Sequence, residues 1–199
     1  MTDTILFSAP AAPPVDRTEI LRYARAGSGN AEISALLDGV LEEAAPTITY
    51  RAVYRVLPVA IAEGTVALGP LSFPSRSLAD CLGNAKRVIL VAATLGTGLD
   101  RLLLRYGRLS PARALLLQAF GTERIEALLD LLGTELTKAY GALTRRFSPG
   151  YGDLPLSLQR DILPLLDCER RLGITLGNSL LMSPSKSVTA VIGIKEVDL

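Results

Sequence analysis

The stretch Arg87-Val88-Ile89-Leu90-Val91-Ala92-Ala93-Thr94 constrains the fold more than any other part of the chain. It is an apolar, partly β-branched run of strand length, and a strand this apolar leaves no face for solvent, so it belongs at the centre of a sheet covered on both sides. From Thr47 to Leu68 the pattern has period two, with Ile48, Tyr50, Ala52, Tyr54 and Val56 on one face. A turn at Glu63-Gly64 leads into Thr65-Val66-Ala67-Leu68, which predicts antiparallel strands. The segment from Ser187 to Ile194 has the composition of a closing strand.

Helical periodicity fills the rest. Asp16 or Thr18 can cap a helix through Glu19 to Tyr23, and Ile33, Leu36, Leu37, Val40 and Leu41 recur at helical spacing after Asn30, with Gly27 to Asn30 as the break. Ser77 to Leu82 is a short helix. After Gly96 a helix runs through Leu99, Leu102, Leu103 and Leu104; Ser110-Pro111 then supplies the cap and first turn of a long helical stretch over Arg113 to Ala142, interrupted at Gly121 and Gly133. Arg146 to Pro155 is a loop and Leu158 to Leu172 a short helix. Strands and helices do not alternate regularly, so the prediction is one α+β domain with a mixed or antiparallel twisted sheet flanked by helices. A length of 199 residues, 49% of them hydrophobic, suits one domain. Pro10, Pro13 and Pro14 make residues 1–15 a flexible Pro/Ala-rich lead-in, exposed over Ser8 to Val15, and leave 16–199 as the domain.

Charge and rare residues exclude several functions. With 21 Lys+Arg against 20 Asp+Glu, nucleic acid is not expected as a partner, because phosphate binding needs a clustered basic surface. The chain contains no histidine, which removes Ser-His and Cys-His catalytic pairs and His-bearing zinc sites together. Cys81 and Cys168 form no CxxC and read as two buried thiols in a reducing compartment. Met1 to Pro14 lacks the basic start of a signal peptide, and Val88 to Leu95 falls far short of the roughly 20 apolar residues that span a bilayer. A cytoplasmic protein with no membrane partner is expected.

Two segments could carry binding chemistry. Thr94-Leu95-Gly96-Thr97-Gly98, between a strand and a helix, is either a phosphate-cradling turn or a tight turn lined by small residues; no third glycine and no P-loop lysine follow, which favours the latter. The loop Arg146-Phe147-Ser148-Pro149-Gly150-Tyr151-Gly152-Asp153 sets an arginine fork, a constrained Pro-Gly turn and an aromatic hydroxyl within a few residues. Such a loop can grip a zwitterion, with Arg146 on a carboxylate and backbone groups near Ser148 and Gly150, or it can be an ordinary turn with Arg146 solvated. Glu126 on the preceding helix is either a solvated carboxylate or the partner of a cation. Asp153, Asp161, Asp167 and Glu169 read as caps and surface charges, and Lys186 as a lone surface lysine.

Taken in order, Arg146 to Asp153, Pro155-Leu156, Gln159, Leu166-Asp167, Gly173 to Leu176, Met182-Ser183-Pro184 and Lys186 to Ala190 resemble the activation domain of cobalamin-dependent methionine synthase, in its short free-standing form. Upstream, Arg22-Tyr23, Ala79 to Leu82, Ala92 to Gly96 and Gly121 to Glu126 extend the resemblance over nearly the whole chain. It implies that family's fold, with a sheet flanked by helices, and binding of S-adenosylmethionine. In the family the domain docks over the cobalamin-binding domain, where a flavodoxin-type donor reduces inactive cob(II)alamin and S-adenosylmethionine remethylates it.

Carried onto this chain, the resemblance implies that Arg146 holds the ligand carboxylate, that Ser148, Pro149 and Gly150 line it with backbone groups, that Tyr151 contacts it, and that Glu126 sits on its cationic side. The function implied is that of an accessory subunit, without turnover of its own, that supports reactivation of a separate methionine synthase core. Cobalamin would reside on that partner, since no histidine is present to serve as its lower axial ligand. The family's contacts from an N-terminal acidic residue and from an aromatic beyond the last strand have no evident counterparts. The alternative is therefore a docking module for a corrinoid methyltransferase that no longer binds the ligand.

Overall fold

A computed structural model describes residues 3–9, 11–27 and 30–195. Pro10 of the lead-in and Ser28-Gly29 of the first interhelical break lie outside the described residues. In chain order the elements are β1 (Ile5–Ser8), α1 (Arg17–Tyr23), α2 (Ala31–Ala44), β2 (Arg51–Ala62), β3 (Thr65–Leu68), β4 (Leu71–Pro74), α3 (Arg76–Leu82) and β5 (Arg87–Thr94). They continue with α4 (Gly98–Leu109), α5 (Pro111–Tyr140), α6 (Gln159–Leu165), α7 (Cys168–Leu172), β6 (Thr175–Leu176), β7 (Met182–Ser183) and β8 (Ser187–Ile194).

The main sheet is antiparallel throughout, in the order β4-β3-β2-β5-β8. β2 is its long spine. One edge pairs with β5 from Arg51↔Thr94 to Pro58↔Arg87. The other pairs first with β1, from Ile5↔Tyr54 to Ser8↔Arg51, and then with β3, from Val59↔Leu68 to Ala62↔Thr65. The Val59 N–H points to Lys86 on the β5 side, so the missing N–H of Pro58 faces the opposite edge, in the gap between β1 and β3, where no ladder bond is lost.

Side-chain alternation then builds two cores. Val88, Leu90 and Ala92 of β5 and Val191 of β8 face a layer made by α3, α6 and α7, through Leu78, Leu82, Ile162, Leu163, Cys168 and Leu172. Ile89, Val91, Ala93, Ile192 and Ile194 face Ile125, Leu128, Leu129, Leu132 and Leu136 in the second half of α5. Every residue from Val88 to Thr94 is buried, as expected of a central strand. Each large branched side chain so buried contributes about 1.5–3 kcal/mol. The first half of α5 leaves the sheet and packs Leu116, Leu117 and Phe120 against Ile20, Leu37, Val40 and Leu99 of the other helices. Although α5 is 30 residues long, no helix among the described residues is long and apolar enough to cross a membrane.

Two expectations are corrected. Gly121 and Gly133 do not interrupt α5, which is continuous. At Gly121 a Cβ would lie 2.3 Å from Leu99 Cδ2 and 2.8 Å from Lys186 Cε, so the glycine marks a close approach rather than a break. The helix expected over Leu158 to Leu172 is split into α6 and α7 by Asp167, whose φ of 55° is left-handed. Within residues 1–15, Ile5–Ser8 is a sheet strand, and the Pro13 and Pro14 carbonyls each accept a 2.6 Å hydrogen bond from the fully buried Arg124. Glu123 neutralises Arg124 and accepts from the Asp16 N–H at 3.1 Å, so an ion pair inside α5 clasps the segment that precedes α1.

Candidate functional site

The loop from Arg146 to Pro155 is positioned from three sides. At the edge of β8, Phe147 and Val191 exchange backbone hydrogen bonds of 2.9 and 2.8 Å. One step earlier, the Thr144 hydroxyl accepts from the Gly193 N–H at 2.8 Å, and the Gly193 carbonyl accepts from the Thr144 N–H at 2.9 Å. At its far end the Asp153 carboxylate accepts from the Ser75 hydroxyl (2.6 Å) and from the N–H groups of Arg76 (2.8 Å) and Ser77 (3.2 Å), at the start of α3. These bonds, the Ser75 hydroxyl first, hold the Asp153 carboxyl below the usual aspartate range. Gly152 is required there: its φ is 55°, and a Cβ would meet Ser77 Oγ at 2.6 Å.

This anchoring creates a groove of about 660 Å³ along the edge of β8. Glu126, Arg146, Ser148, Pro149 and Tyr151 all line it, so five of the six residues expected at the site are brought together. Gly150 is not among them. With φ of 93°, it closes the turn by donating its N–H to Leu154 O at 2.8 Å, and Tyr151 donates to Ser148 O at 3.2 Å. The expected backbone donor at Gly150 is thus used inside the loop. Tyr151 itself is 68% exposed.

Arg146 differs from the open or solvated fork expected. Its Nη2 lies 2.9 Å from Glu126 Oε2 and its Nη1 2.7 Å from Asp130 Oδ1, so the guanidinium bridges two carboxylates one turn apart on α5. Asp130 was absent from the sequence-derived candidates; its spacing of four from Glu126 was the available signal. Two further groove residues carry unpaired buried atoms. Among the described residues nothing pairs with Gln159 Oε1 or Thr189 Oγ1. Gln159 and Thr189 both lie among the residues that carry the resemblance, and nothing else in the sequence marks either.

The other candidates have local explanations. In the Thr94–Gly98 turn a Cβ on Gly98 would sit 2.1 Å from Thr47 O, and the Gly96 N–H is bonded to Thr94 Oγ1 at 3.1 Å, so this is a tight packed turn. Lys186 is not a free surface lysine: it is half-buried, its Nζ donates to Thr122 Oγ1 at 3.0 Å, and burial lowers its pKa against the opposing pull of Asp100. Cys168 is buried, and desolvation pushes its thiol up to about 12, far from a reactive thiolate; Cys81 is only half-buried.

An antiparallel sheet flanked by helices, with a charged groove at its last edge strand, is the architecture so defined. No family model and no curated protein matches the sequence. In three dimensions the chain is similar to the crystal structure of the MetH reactivation domain bound to AdoHcy, with a TM-score of 0.71 over 98% of this chain and 80% of that one, at 15% identity. The fold is that of a methionine synthase activation domain, as the resemblance implied.

Proposed function

We propose that the chain binds S-adenosylmethionine in the Arg146 groove and serves as an accessory reactivation subunit for a separate cobalamin-bearing methionine synthase core. The observation that carries this is the convergence of Glu126, Arg146, Ser148, Pro149 and Tyr151 on one groove of a methionine synthase activation fold. The groove suits the ligand. About 660 Å³ falls within the roughly 300–1,000 Å³ usual for small-molecule sites, and a guanidinium beside a carboxylate is the complement of a zwitterion.

In this reading Arg146 exchanges one of its carboxylate partners for that of the ligand, and Glu126 moves from the guanidinium to the ligand's positive charge. Tyr151 covers the bound molecule from the rim. Bound S-adenosylmethionine supplies an electrophilic methyl group; the protein's part is to fix its orientation, which replaces a bimolecular encounter by a positioned one. The corrinoid belongs to the partner, because the chain has no histidine to ligate it from below. A flavodoxin-type donor is the electron source proposed for the reduction, and the cytoplasm the compartment.

A second reading has its own support. Two donors of the Arg146 fork are already engaged by Glu126 and Asp130, as in a module that docks on a corrinoid protein without ligand. Calorimetric titration with S-adenosylmethionine and S-adenosylhomocysteine separates the two. Saturable binding, lost in Arg146→Ala with unchanged thermal unfolding, is expected. Capture of a corrinoid protein that is indifferent to S-adenosylmethionine, with no binding to the isolated chain, selects the docking module instead.

A further inference from the structure

The groove has two ends of different chemistry. At one end Arg146 and Glu126 carry opposite charges beside α5, the side of the sheet that Ile192 faces. At the other, Gln159 and Thr189 are uncharged and polar. Thr189 lies two residues from Val191, where the loop is pinned, or about 7 Å along the strand at roughly 3.3 Å per residue. It shares side-chain parity with Val191, which faces the α6 layer that Gln159 opens. The groove therefore wraps the edge of β8 from the Arg146–Glu126 pair to the uncharged Gln159 and Thr189, with Arg145, stacked over Phe147, as a further lining residue.

Burial makes the Gln159–Thr189 end informative. Gln159 is 6% exposed and Thr189 1%, yet the carbonyl oxygen of one and the hydroxyl of the other have no partner among the described residues. A polar atom taken out of water without a partner is costly, and native proteins pair nearly all of them. Two such atoms on residues lining one groove mark a place where the missing partner arrives with a ligand.

Building on the proposed function, we infer that Gln159 and Thr189 read the nucleoside part of the ligand whose amino-acid end Arg146 holds. A carboxamide and a hydroxyl offer both donors and acceptors without charge, which matches ribose hydroxyls and the amino and ring-nitrogen edge of a purine. An oppositely charged pair matches the zwitterionic end instead.

Titration of wild type, Thr189→Val and Gln159→Met with S-adenosylhomocysteine and with methylthioadenosine, which lacks the amino-acid part, tests this. Both variants are expected to unfold at the wild-type temperature or above, since each loses an unpaired buried atom, and to bind both probes about five- to tenfold more weakly. Thr189→Ser restores binding, whereas Arg146→Ala weakens only S-adenosylhomocysteine. Unchanged affinity in both variants, with wild-type binding still dependent on Arg146, overturns this inference and leaves the proposed function standing. Wild type that binds neither probe overturns both.

Discussion

Asp130 occupies one arm of the Arg146 fork, the group that the proposed function assigns to a ligand carboxylate. The pair is close, at 2.7 Å, but the Asp130 side chain is 71% exposed, so its worth to stability is at the surface value of about 0–1 kcal/mol. Its worth to binding is larger in proportion, because a carboxylate entering the fork competes with it directly. Asp130→Asn is therefore expected to leave thermal unfolding within about 0.5 kcal/mol of wild type and to tighten S-adenosylhomocysteine binding several-fold. Glu126, half-buried at the same guanidinium, keeps Arg146 aimed after that change. Weaker binding in the same titration would show that Asp130 orients the fork rather than competes for it.

Within α5, two glycines make opposite demands on the same helix. A methyl group at Gly121 would press on Leu99, itself fully buried, and on the Lys186 stem, so Gly121→Ala is expected to destabilise by about 1–3 kcal/mol through overpacking. Nothing lies within 4 Å of a Cβ at Gly133, so Gly133→Ala is expected to stabilise by up to about 1 kcal/mol through helix propensity alone. Urea denaturation of the two variants checks the pair; stabilisation at both sites would mean that Leu99 gives way. The same positions show what periodicity can and cannot reveal. Apolar runs placed β5 and β8 at their observed residues, since a strand buried on both faces has no other composition. Propensity misread Gly121 as a break because close approach by Leu99 is a tertiary fact, and Gly133 because a 30-residue helix absorbs the roughly 1 kcal/mol cost of one glycine. β1 and β4 were missed because four residues beside prolines carry too little pattern. The candidate site was legible to a similar depth: the loop stood out by residue type, whereas Glu126 looked like a solvated helix carboxylate and was singled out by the resemblance. The engagement of Arg146 by Asp130, and of Asp153 by residues of α3 more than 70 positions earlier, depends on how the chain folds back.

At the scale of the whole molecule, α5 is the member that joins the sheet to the helical layer, and the Glu123–Arg124 pair on it fastens the N-terminal segment to both. Arg124 is completely buried and donates to Glu123 and to the carbonyls of Pro13 and Pro14. Charges held this far from water are costly to separate but not to remove together, because the desolvation of each is offset mainly by the other. Arg124→Met alone leaves the Glu123 carboxylate buried, with the Asp16 N–H as its one remaining partner among the described residues, and is expected to cost about 3–5 kcal/mol. Arg124→Met with Glu123→Leu removes both charges and releases the two proline carbonyls to solvent at the molecule's edge, so it is expected to cost clearly less than the single change. Denaturant unfolding of wild type, both single variants and the double variant closes the cycle. A double variant as unstable as the sum of its parts would mean that the clasp acts through packing of the N-terminal segment and not through charge. In the charge-based case β1 and the start of α1 loosen first in Arg124→Met, which amide exchange at Phe7 and Ala9, whose N–H groups bond to β2, reports, while the ion pairs of Arg146 with Glu126 and Asp130 stay in place.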